Sequence, residues 1–169
     1  MENHLATLNR LIREHEETLE SIQECSVCTD NLASLCQRWI PGHPEELEHE
    51  LAHLEGALSR LNAAFEKHML VEEREFLPTL TKHATDIVSK GLMYKHREIL
   101  QSINLLRANA RDSVKKSSDR EQLIIGESRI NEAIRYIQQL VEDHVHVQEV
   151  IFSLAREVLA EESEYTSGQ

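Results

Sequence analysis

The chain has 169 residues, 40% apolar and 28% charged, which is enough to bury one full core in a single domain. A formal net charge of −12 argues against nucleic acid or an anionic membrane surface as a partner, since both demand a basic footprint. There is no unbroken apolar run long enough to span a bilayer, so no membrane segment is expected. Five glycines, three prolines and 4% aromatic residues point to an all-helical chain with few turns. The start, Met-Glu-Asn-His-Leu-Ala-Thr-Leu, lacks a basic region followed by an apolar one, which predicts a cytoplasmic protein.

Residues 3–38 carry an apolar stripe of period 3.6 through Leu5, Leu8, Leu11, Ile12, Leu19, Ile22, Leu32 and Leu35, with His15 on the stripe. Pro41-Gly42-His43-Pro44 breaks the chain, and Pro44-Glu45-Glu46 reads as the first turn of a second helix. That helix runs to about residue 80 through Leu47, Leu51, Leu54, Leu58, Leu61 and Phe65, with Pro78 as its expected stop. It places His68 and Glu72 four residues apart on one face, so an imidazole and a carboxylate converge. A turn near Thr81-Lys82-His83 leads to a third helix, to about residue 112, with His96 among Leu92, Ile99, Ile103 and Leu106. After Lys115-Lys116-Ser117-Ser118, Asp119 and Gln122 resemble a capping box opening a fourth helix. Its stripe includes Ile130, Ile134, Ile137, Val141, His144, Ile151 and Ala155. The expected domain is one up-down-up-down four-helix bundle over residues 1–161, with a frayed tail over 162–169.

In such a bundle, residues equidistant from a turn lie at one level. His15 and His68 are equidistant from the Pro-Gly-His-Pro break, His68 and His96 from the Thr-Lys-His turn, and His96 and His144 from a point beside Asp119. Turns located independently therefore put one inward histidine of each helix in a single layer. Four unpaired buried histidines would be a costly core, so the layer reads as a metal site. Imidazole plus carboxylate suits iron or manganese, and no thiolate reaches the layer.

Other polar residues carry the blander reading. Cys25, Cys28 and Cys36 are too few for a zinc site and read as reduced thiols packed on a helix. His49 and His53 form H-x3-H on the second helix, but lie well away from the layer and read as solvated surface. His146 is off the face of His144 and reads as exposed.

The chain resembles the hemerythrin-like, His-His-Glu four-helix domains. Arg13-Glu14-His15-Glu16 resembles the first-helix histidine motif, and Phe65-x-x-His68-x-x-x-Glu72-Glu73-x-x-Phe76-x-Pro78 the second. Lys95-His96-Arg97-Glu98 and His144-x-x-x-Gln148-Glu149-x-x-Phe152 resemble the third and fourth. The resemblance implies two iron ions with a bridging oxo or hydroxo species, held by His15, His68, Glu72, His96, His144 and Glu149. It implies binding or sensing of a small diatomic, oxygen or nitric oxide. The alternative it implies is a redox enzyme acting on peroxide or nitric oxide, or iron donation and repair under oxidative and nitrosative stress. Where a second third-helix histidine occurs in the oxygen carriers, this chain has Leu100, and where most bacterial members have glutamate, it has Gln148. Glu149 is preferred over Gln148 as the ligand because a neutral amide is a poor bridge between cations. Nothing else suggests catalysis, so a binding module is expected over an enzyme, its signal passing to a separate protein partner.

Overall fold

The computed structural model describes the backbone of residues 2–38, 45–80, 86–115 and 120–167. The elements are α1 (Glu2–Gln37), α2 (Glu45–Val71), a π-helical turn (Glu72–Phe76), α3 (Leu77–Leu80), α4 (Asp86–Lys115) and α5 (Arg120–Ser167). There is no strand among the described residues. The three expected breaks, with the Pro44 turn and the Asp119 cap, lie outside them, apart from Lys115 at the end of α4. α1 packs on α2, α2 on α4, α4 on α5, and α5 back on α1, closing the ring of a four-helix bundle. None of the described helices is long and apolar enough to cross a membrane.

The apolar stripes face inward as their period requires. They form two clusters rather than one. The larger contains Ile22, Leu54, Leu58, Phe65, Ile103 and Ile134, and the smaller contains Leu8, Leu11, Phe76, Leu92 and Phe152. Burial of this apolar surface is what stabilises the helices against the chain's conformational entropy. Between the clusters in the sequence of α1, α2 and α4 stands a buried histidine, His15, His68 and His96, and in α5 the buried His144 stands at the end of the larger cluster, next to Val145. Cys25, Cys28 and Cys36 are free and buried, and burial pushes the Cys25 thiol up to about 12.

Two stretches carry detail that apolar periodicity alone does not settle. α5 continues through Ser167, with no glycine or proline between Gly126 and Gly168 to interrupt it. The second segment is helical through Leu80, about where the sequence places its end, with Pro78 inside α3. The proline ring has no N–H and crowds the carbonyl four residues back, that of Arg74. The turn before it widens instead of ending, and the Leu77 N–H donates to the Glu72 carbonyl five residues back.

Candidate metal centre

The widened turn begins at Glu72 and re-aims two adjacent carboxylates. Glu72 Oε2 lies 2.8 Å from His96 Nε2, 3.3 Å from His68 Nε2 and 3.8 Å from His144 Nε2. Glu73 Oε1 lies 2.9 Å from the other nitrogen of the same ring, His96 Nδ1. Neighbouring residues of the chain thus grip one imidazole from both sides. Donor atoms of His68, Glu72, His96 and His144 all fall within 4.8 Å of one another, the spacing of a cation cage. All four side chains are buried.

His15 joins this group from α1. Its ring centroid is 4.6 Å from that of His68 and 6.1 Å from that of His144. On its other side it stacks on Phe152, with centroids 5.7 Å apart and planes inclined by 10°. Phe65 lies under the layer, its ring centroid 6.0 Å from His68 and 5.9 Å from both His96 and His144.

The fourth helix brings a correction. Gln148 is completely buried, whereas Glu149 is exposed and is not brought to the layer. The reason is helical geometry: a residue four after His144 stacks on the same face, while one five after it points well away. Preference for a charged ligand cannot overcome that rotation. Gln148→Ala is therefore expected to lower metal affinity at least about tenfold, and Glu149→Ala to leave it within about twofold, by competition with a chelator. The reverse order would restore Glu149 as the ligand.

Sequence reasoning also passed over Glu14 and Glu73, which the histidine motifs contain without marking. Glu14 is buried, with one oxygen 3.1 Å from Arg10 Nε and 3.6 Å from Lys67 Nζ. Its other oxygen is 4.0 Å from His68 Nδ1. A glutamate directly beside an inward histidine, and one directly after Glu72, were the only available signals. His49 and His53 lie on the surface with ring centroids 4.7 Å apart, and His146 is exposed.

The charge states follow from burial and neighbours. Burial, aided by the nearby His68, pushes His15 down from 6.5 to about 4, and burial also holds His144 well below the usual imidazole range. Burial acts against charge on His96 too, but contact with Glu72 and then Glu73 outweighs it and raises that ring. Burial alone would raise Glu72, yet its contacts with His68 and His96 hold it well below the usual carboxylate range. Without metal, His15 and His144 bind protons more readily when unfolded. Their contribution is complete above the unfolded value of 6.5 and is lost as pH falls toward 4, about 3 kcal/mol for His15 alone. Glu72, whose value is depressed, acts in the same direction at the acid end. His96 has the opposite sign, contributing at low pH and losing that contribution as pH rises through its raised value. Between pH 7 and pH 4.5 the two depressed imidazoles outweigh the one raised imidazole. The urea midpoint of metal-free protein is expected to fall between pH 7 and pH 4.5, and a midpoint that rises would contradict these charge states.

Several polar atoms in the layer are buried and lack a hydrogen-bond partner: Glu14 Oε2, His15 Nε2, His68 Nδ1, Glu72 Oε1, His144 Nδ1 and both ends of the Gln148 amide. Orphaned buried polar atoms are costly, and here they cluster on metal-ligating residue types. Residues 6–155 match the hemerythrin family, described as the hemerythrin HHE cation binding domain. The chain belongs to this family. No curated protein and no solved structure matches it. As a hemerythrin HHE domain, the bundle carries a metal-cation site, and the buried histidine–glutamate layer is where its donors converge.

Proposed function

We propose that the layer holds two iron ions bridged by an oxo or hydroxo group and binds a small diatomic, oxygen or nitric oxide. Glu72 carries this reading. One of its oxygens meets three imidazole nitrogens while the other is buried without a partner, the disposition of a carboxylate that serves two cations. His68, His96 and His144 supply donors on one side of Glu72. His15, whose ring lies beside His68, and the buried Gln148 would add donors, with Gln148 in place of Glu149. Iron held by imidazole and carboxylate supplies redox chemistry and affinity for small ligands.

The chain's own residues prepare that chemistry. Glu73 is placed to hold the ring proton of His96 on Nδ1, leaving the Nε2 lone pair directed at the layer. Burial keeps His15 and His144 neutral at pH 7, the form in which an imidazole can be a ligand. Leu11, Phe65, Leu92 and Val141 exclude water, which favours an uncharged ligand and limits the protons available to discharge reduced oxygen. One carboxylate and four imidazoles are too few to saturate two ions, and the neutral Gln148 adds no charge. That leaves room for a small ligand.

Protein loaded with iron, reduced without air and then exposed to oxygen or nitric oxide distinguishes binding from turnover. A stable adduct spectrum that reverses when the gas is removed is the expected result. Direct passage to the oxidised state, with consumption of peroxide or nitric oxide, would overturn it in favour of an enzyme.

A further inference from the structure

The layer residues are at most 4% exposed, so a ligand needs a path to them. Among the described residues, a groove touches the layer. It lies between α4 and α5, is half open to solvent, and has a volume of about 380 Å3. Val88, Gly91 and Leu92 line it from α4, and Val147 and Ile151 from α5, with His144 reaching it from the layer.

The remaining lining residues are Lys95 and Asp143, whose opposite charges cancel. Lys95 is tied at 2.9 Å to Glu98, and Glu98 accepts a hydrogen bond of 3.0 Å from the Tyr136 hydroxyl across the helix pair. Asp143 accepts one of 2.7 Å from the Gln139 amide on its own helix. The charged groups are thus occupied, and the walls are apolar. An ion entering would lose hydration without recovering it, whereas a small uncharged molecule loses little. Beyond His144 the donor atoms lie within 4.8 Å of one another, which admits nothing larger than a few atoms.

Gly91 is an exposed lining residue of this groove. A Cβ built there meets nothing within 4 Å, so a large side chain can be placed at this position without a clash at its Cβ. We infer that the α4–α5 groove is the port by which small uncharged molecules reach the layer, and that Gly91 is the residue that keeps it open. The inference rests on the reading of the layer as a ligand-binding iron centre, but the groove itself can be tested without metal.

In metal-free wild-type protein under xenon pressure, the methyl resonances of Val88, Val147 and Ile151 should shift and saturate. In Gly91→Trp they should not. Absence of a saturable shift in the wild type would overturn the port. In iron-loaded, reduced protein, Gly91→Trp should slow nitric oxide association at least about tenfold with unchanged iron content. Leu105→Trp, exposed and roughly 21 Å further along the same helix, should leave the rate as it is. Equal rates in Gly91→Trp and wild type, or equal slowing by Leu105→Trp, would overturn the port. If wild-type protein takes up no iron, the iron reading fails, and the xenon result alone decides the groove.

Discussion

Replacing Glu72 with alanine is expected to abolish stable metal binding. Glu72 is the one carboxylate in the described donor cage and is fully buried. Its Oε2 sits within 3.8 Å of three imidazole nitrogens, so its loss removes both a ligand and a negative charge at the centre of the cage. The loss in affinity should exceed the ~10–100-fold typical of an outer-shell change. It should be read by competition with a chelator and by metal content after gel filtration. Glu72→Gln separates the two contributions, since it keeps shape and removes charge. Retention of wild-type metal content in Glu72→Ala would place the site elsewhere.

Phe65→Ala should have the largest effect on folding. Phe65 is 1% exposed and forms the floor of the layer, about 6 Å from three of its rings, while belonging to the larger apolar cluster. Truncation leaves a cavity at the boundary between core and polar layer, expected to cost about 3–5 kcal/mol in metal-free protein. For a domain of this size that corresponds to a fall in Tm of roughly 10 °C. Bound metal should recover part of the loss, because it binds only the folded chain. A cost below about 1 kcal/mol would mean that Phe65 is not packed as described.

Much of this structure was legible in the sequence because helical periodicity and turn chemistry are local. Four apolar stripes and three breaks sufficed to place His15, His68, His96 and His144 at one level, and the structure brings them together. What escaped depends on rotation and on contacts between helices. Gln148 and Glu149 differ by one position, and choosing between them by charge overrode the face on which each must lie. The extent of the second helix to about residue 80 was legible, but the π turn just before Pro78, which lets Glu72 and Glu73 grip His96 together, was not. The buried position of Glu14 beside His68 and the groove at Gly91 arise only when separate helices meet. No periodicity within one helix reports them.

Metal analysis of protein purified from iron-supplied cells, combined with a Mössbauer spectrum, tests whether one layer of the bundle holds a pair of iron ions. About two irons per chain, magnetically coupled through a shared bridge, is the expected result. Zinc alone, or no metal at all in a folded wild-type protein, would contradict it.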